Sequence, residues 1–303
     1  MSAIRVFEAA ARHQSFTRAA EELGMTQAAV SYQVRMLEER VGAPLFTRLP
    51  RQVVLTAKGR QLAPAVTEAF EALRDAFSGL EEAVQSVLSI TTLTTFASAW
   101  LVPRLGRFQQ LHPNIAVQIE VSSQIIDLGR RDFDIAIRSG TGEWPGLEAD
   151  FLIPNQFTPV CSPDLIRNVQ LREPIDLLKL PILTPSDPWW QDWFAAAGVP
   201  NVDLSNRPDN SLGAQQFEGM AAMAGQGLAM VNPSFFPNDL AAGRLVQPFD
   251  LVVTADRSYW LAYPKARRRS AKIRAFRDWV LSEVAGDLEE AGAQIMGEAK
   301  VGT

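Results

Sequence analysis

The chain has 303 residues, 47% of them hydrophobic, enough for about two domains with sizeable cores; nine Lys/Arg face five Asp/Glu in residues 1 to 60, and 20 face 29 in the rest, a basic head on an acidic body. One cysteine and two histidines exclude an intramolecular disulfide and leave little material for a zinc site. No run reaches the roughly 18 uninterrupted apolar residues of a membrane span, and MSAIRVFEAAARHQSF lacks the basic-then-apolar layout of a secretion signal, so a cytoplasmic location is expected.

In chain order, Ile4, Phe7, Ala10 and Ala11 recur at helical spacing, and Ser15 can cap a second helix from about Phe16 to Leu23. Gly24 suits the C-terminus of that helix, and Thr26 the cap of a third, whose expected buried stripe is Ala29, Val30, Val34, Leu37 and Val41. Gly42-Ala43-Pro44 ends it. Leu45-Phe46 and Val53-Val54-Leu55 read as two short strands around a tip, Thr47 to Gln52, that carries Arg48 and Arg51. The pattern predicts a winged helix-turn-helix over about 1–58. From Thr56 a long helix is expected to about Val87, because Leu62, Val66, Phe70, Leu73, Phe77, Leu80, Val84 and Val87 alternate by fours and threes. Such a seam needs a partner, which a second copy supplies in a dimer, unless the helix is the core of one globular unit.

Beyond Leu88, strand and helix patterns alternate: SVLSITTL, LVPRLGRFQQL, IAVQIEV, a short helix through Asp127 to Arg131, and DIAIR. The alternation resumes with PVCSP, PDLIRN, PILTP, a helix from Trp189, a helix from about Leu212, and LAMV. This predicts two α/β lobes on a largely parallel sheet over 88–303. SYWLAYP and IRAFRDWVLSEV should return to the first lobe, placing lobe 1 at about 88–160 and 265–303 and lobe 2 at about 161–264. The basic run KARRRSAK reads as a solvated helix entrance, Cys161 as a small buried hydrophobe, and Trp189, Trp190 and Trp193 as core.

The run RVFEAAARHQSFTRAAEELGMTQAAVSYQVRMLEERVGAPLFTRLPRQVVLTAKGR resembles the DNA-binding head of LysR-type transcriptional regulators. The likeness continues through LVPRLGRFQQLHPNI, the strand at Asp132 to Arg138 and GEWPGLEADFL. These later features resemble the subgroup of the glycine-cleavage activator and the β-lactamase regulator. The resemblance implies a winged helix-turn-helix, a dimerising linker helix and a two-lobed α/β sensor built like a periplasmic binding protein. It also implies a small-molecule effector as ligand, double-stranded DNA and a second copy of the chain as partners, as homodimer or homotetramer, and RNA polymerase as a candidate partner.

The resemblance places base contacts at Gln27, Ala28, Ser31 and Tyr32, on the face opposite Val30 and Val34. Glutamine can bond an adenine edge bidentately, and alanine can meet a thymine methyl. Tyr32 stands where the family pattern carries His or Arg. Phosphate contacts are expected from Arg18, Thr26, Gln33 and Arg35, with Arg48 and Arg51 on the wing.

Ligands of two-lobed α/β domains lie at the carboxyl ends of strands, beside helix N-termini. Thr94 and Thr95 occupy such a junction, Ser98 follows on the helix, Asp209 and Ser211 precede another helix, and Tyr259 lies in SYWLAYP. Resemblance to the β-lactamase regulator puts Thr95, Asp209, Ser211 and Tyr259 where that protein binds its muropeptide effector, although Pro208 and Asn210 depart from its pattern. Thr95, Asp209 and Ser211 would equally serve as helix caps. Trp144 either walls the cleft or pins a Gly-rich loop. Residues 88–303 alone would suit a free solute-binding protein or an enzyme. The helix-turn-helix argues against the first, and the absence of a phosphate loop, a G-x-S-x-G elbow or paired catalytic carboxylates against the second. No cofactor motif is present.

Overall fold

The computed structural model describes residues 2–49, 52–78, 86–124 and 133–301. Three helices open the chain: α1 (Ser2–His13), α2 (Phe16–Leu23) and α3 (Gln27–Val41). Ser15 caps α2 by accepting from the Arg18 amide at 3.3 Å, and Thr26 caps α3 by accepting from the Ala29 amide at 3.2 Å. Gly24 and Gly42 close the two helices at φ of 62° and 70°, a left-handed turn that glycine enters without a steric penalty. Val6, Phe7, Ala19, Ala20, Val30, Val34 and Leu37 meet in one core. Val41, expected in that stripe, is 43% exposed, because it sits where the chain leaves the core toward Gly42.

Strands β1 (Phe46–Leu49) and β2 (Gln52–Leu55) pair antiparallel, with Phe46 opposite Leu55. Phe46 and Val53 add to the head core. The entry to β1 is fixed by Glu38, whose Oε1 accepts from the amides of Leu45 and Phe46 at 2.7 and 3.1 Å. Thr56 then starts helix α4 (Ala57–Ser78): its Oγ1 accepts from the Gly59 amide at 3.1 Å and donates to the Pro44 carbonyl at 2.8 Å. Leu62, Ala63 and Val66 pack on the head, whereas Leu73 is 42% exposed, so the seam turns outward as the helix proceeds. Pro64 lies inside α4, where it removes one N–H from the ladder. The helix expected to reach Val87 is corrected there: Ser86–Thr92 is strand β3, and alternate burial of Leu88 and Ile90 is the period of a strand. Leu80 and Val84 lie outside the described residues.

The C-terminal domain holds β4 (Ile115–Val121), β5 (Ile135–Gly140), β6 (Leu147–Val160), β7 (Ala229–Val231) and β8 (Val253–Pro264), in the sheet order β4-β3-β5-β8-β6-β7. Among the strands of the described residues, β3 pairs parallel with β4 and β5, whereas β8 with β5, β6 with β8 and β7 with β6 are antiparallel. The sheet is therefore mixed rather than largely parallel. The reason is topological: β6 and β8 carry the chain out of the first lobe and back, and adjacent outward and return paths must run opposite ways. Two register shifts, at Phe151/Ile153 and Pro154/Gln156, mark the middle of this pair.

A π-helical stretch (Phe96–Leu101) leads into α5 (Val102–Leu111), which packs with α10 (Ala271–Val301) on one face of β3 and β5 through Phe108, Phe276 and Trp279. The other lobe contains α6 (Pro163–Ile166) and α7 (Trp189–Ala196) around Phe157, Cys161, Trp190, Trp193 and Phe194, while α8 (Gln215–Met223) and α9 (Pro237–Ala241) pack through Ala221, Ala222 and Leu240 on the core that includes Phe235, Phe236 and Tyr259. Trp190, Trp193 and Cys161 are buried, as expected of core residues, and burial pushes the Cys161 thiol up to about 11. PILTP contributes a single bridge, Ile182 to Leu228, in place of a strand, and the helix expected from Leu212 begins at Gln215. The basic run is not fully solvated. Arg267 is buried and bonds Asp134 at 3.2 Å, and Lys272 reaches the same carboxylate at 2.6 Å. The short helix expected through Asp127 to Arg131 falls outside the described residues.

Candidate DNA-binding face and effector cleft

Burial of Val30, Val34 and Leu37 fixes the rotation of α3, and the opposite face follows from it. Thr26, Gln27, Ala28, Tyr32 and Arg35 are exposed there, with Ser31 and Gln33 half-buried beside them. Arg18 is exposed on α2. A cluster behind this face locks α1 to α2: Glu22 accepts from Arg12 and meets His13, both at 2.5 Å. The Arg12 hydrogen bond is the first reason that the Glu22 carboxyl is held down at about 2. Arg48 is on β1 opposite Val53, and Arg51 lies outside the described residues.

In the C-terminal domain Thr95 meets the first turn of α8, Tyr259 stacks on the neighbouring Phe96, and the Asp209 carboxylate acts on Glu218 of the same α8. Thr95 is buried, and its Oγ1 accepts from the Gln216 amide at 3.2 Å, so it caps the start of α8 in the other lobe rather than its own helix. Tyr259 is buried, stacked on Phe96 at 5.8 Å and edge-on to Phe235 at 5.2 Å, and burial drives its hydroxyl pKa upward. The exposed Ser98 hydroxyl donates back to the Thr94 carbonyl at 2.9 Å. Asp209 and Ser211 are exposed, and no hydrogen bond among the described residues joins either to Thr95 or Tyr259. Trp144 lies against Gly140, where an added Cβ would come within 2.6 Å of its ring. It walls a cavity of about 440 Å³ with Leu93, Ser139, Thr141, Arg138 and Arg257.

Two family models divide the chain between them. The model described as bacterial regulatory helix-turn-helix protein, lysR family, matches residues 1–60, and the LysR substrate binding domain matches residues 81–285. The chain belongs to the LysR family of transcriptional regulators. Among similar LysR proteins, the glycine cleavage system transcriptional activator of Escherichia coli is 38% identical over 96% of this chain and 95% of its own length. The transcriptional activator AmpR of Citrobacter koseri is 37% identical over 93% of this chain and 97% of its own. The effector domain of AmpR from Pseudomonas aeruginosa superposes with a TM-score of 0.60 at 32% identity, covering 69% of this chain and 99% of that one.

This LysR chain thus pairs an N-terminal helix-turn-helix with a C-terminal α/β effector-binding domain. Among its described residues no helix is long and apolar enough to cross a membrane, and no group of three or more His, Cys, Asp or Glu could hold a metal ion. Arg138 and Arg257, which line the cavity beside Trp144, are not among the residues that the sequence singles out. One signal was available: Arg138 closes the otherwise apolar run IAI of its strand, an expensive place for a charge unless a partner or ligand meets it.

Proposed function

We propose that this LysR regulator reads its operator through the N-terminal half of α3, with Gln27, Ala28, Ser31 and Tyr32 at base edges. Thr26, Arg18, Gln33, Arg35 and the wing arginines Arg48 and Arg51 hold phosphates. The observation that carries the reading is the fixed rotation of α3, whose polar face is turned outward by the burial of Val30, Val34 and Leu37. Titration of the full chain against DNA from upstream of its own gene, by anisotropy at two salt concentrations, tests it. Binding at low salt that falls steeply with added salt is expected. Equal affinity for that fragment and for random duplex, unchanged when Gln27 is replaced, would refute base reading.

The head is assigned to about 1–58 and the sensor to the residues after β3 begins. Two copies pair through the outward seam of α4, as homodimer or homotetramer, and act in the cytoplasm, with RNA polymerase as a candidate contact. The C-terminal domain binds a small effector without turning it over. Opening of the Thr95–Gln216 contact between lobes is the step that admits the ligand, with Thr94, Thr95, Ser98, Trp144, Asp209, Ser211 and Tyr259 around its path. A change in DNA bending with ligand supports this coupling; identical bending with every ligand that binds would break it.

A further inference from the structure

Arg138 is a half-buried cation facing a cavity, and among the described residues no carboxylate lies within ion-pair distance of it. Its guanidinium donates to the Thr91 hydroxyl at 2.7 Å and to the Ile137 carbonyl at 2.9 Å, two neutral acceptors. Burial draws its pKa down, as for a cation lacking a counter-charge. Arg267 and the partly covered Arg277 are treated differently, the first meeting Asp134 and the second Asp150 at 2.7 Å, whereas the half-buried Arg207, which does not line this cavity, is held by the Leu178 and Leu180 carbonyls. An uncompensated guanidinium is costly in a folded protein and is worth keeping where a ligand supplies the anion.

Arg257, on β8, is exposed at the same cavity and has no acidic partner among the described residues. The wall between the two is stiff. Gly140 lies under Trp144, Gly142 (φ 86°) lies under Trp260, and the Trp260 indole donates to the Gly140 carbonyl at 3.0 Å. Ser123, Ser139 and Thr141 line the cavity with hydroxyls, and no Asp or Glu is among the described lining residues.

We propose that this cavity holds the oxyanion of the effector, a carboxylate or a phosphate, with Arg138 as its inner anchor, Arg257 at its mouth and Trp144 against its apolar part. The inference rests on the reading of the C-terminal domain as an effector sensor and narrows it to an anionic ligand. Guanidinium donors match the geometry of both anions, which is why the two are tested separately.

The test is a thermal-shift and calorimetric titration of the full chain with succinate, with inorganic phosphate and with neutral succinamide, each against sodium chloride at equal ionic strength. Saturable binding of succinate or phosphate beyond the chloride control is expected, the tighter of the two naming the anion. Arg138→Met should weaken it about tenfold or more, with Arg138→Lys intermediate, and Arg257→Ala should weaken it several-fold. Should Arg138→Met misfold, the Arg138→Lys and Arg257→Ala variants carry the comparison. Equal affinities in all three variants, or no binding above chloride, overturn the anion assignment. The sensor reading fails separately: it falls if a broad panel of neutral and charged metabolites leaves both melting temperature and DNA binding unchanged, and it survives if succinamide or another neutral ligand binds where the anions do not.

Discussion

Gln27 is exposed on the first turn of α3, free of any role in packing. Its replacement by alanine should leave the melting temperature unchanged and cost about 1–3 kcal/mol on the operator at a single base pair, read by titrating operator variants. Glu218 is the opposite case: a buried carboxyl whose Oε1 accepts from the Thr184 hydroxyl at 2.9 Å. Burial raises its pKa first, and the carboxylates of Asp187 and Asp209 add to the rise. A raised carboxyl favours the fold at low pH, and that contribution is lost as pH climbs through its native value. Glu218→Gln, which keeps the acceptor but has no charge to bury, should therefore raise the melting temperature at pH 7 and change it little near pH 4. A lower melting temperature at pH 7 would contradict this account.

At the scale of elements, the joint between wing and linker helix is the tightest point of the head. Gly59 lies in the first turn of α4, and a Cβ built there would come within 2.2 Å of the Leu45 carbonyl oxygen. Backbone cannot move aside as a side-chain end can, so Gly59→Ala should cost about 1–3 kcal/mol and loosen the wing. Loss of both thermal stability and DNA affinity in that variant is the expected readout, and wild-type behaviour would show that the joint yields. Helix caps, glycine turns and hydrophobic spacing made α1 to α3 and the wing legible from sequence, since each depends on neighbours within a few residues. The end of the linker helix was not legible in this way. Val87 continues a heptad and also opens a strand, and pairing of Ser86 and Val87 with Ile115 and Ala116 decides between them.

At the scale of the whole molecule, Asp134 ties the first and last parts of the sensor together. It accepts from the Ser89 amide at 2.9 Å, from Lys272 at 2.6 Å and from Arg267 at 3.2 Å, joining β3 to the turn before α10 and to α10 itself. Asp134→Asn leaves two cations facing a neutral group, and a loss of about 3–5 kcal/mol, on the order of 10 °C in melting temperature, is expected by calorimetry. An unchanged transition would mean that apolar packing alone holds the return of the chain to the first lobe. The crossing of β6 and β8 explains the error in the expected sheet: strand periodicity records which residues are buried, not which way the neighbouring strand runs.

The helix-turn-helix, the outward polar face of α3 and the alternation that yields two α/β lobes are legible in the chain alone, because these depend on local spacing and local capping. Long-range packing alone sets the Thr95 hydroxyl on the α8 amide, walls in Tyr259 with Phe96 and Phe235, and brings Arg138 and Arg257 to one cavity. Those groups are separated by tens of residues along the chain. What each can bind depends on which charges and rings the fold brings within a few ångströms, and no linear pattern encodes that distance.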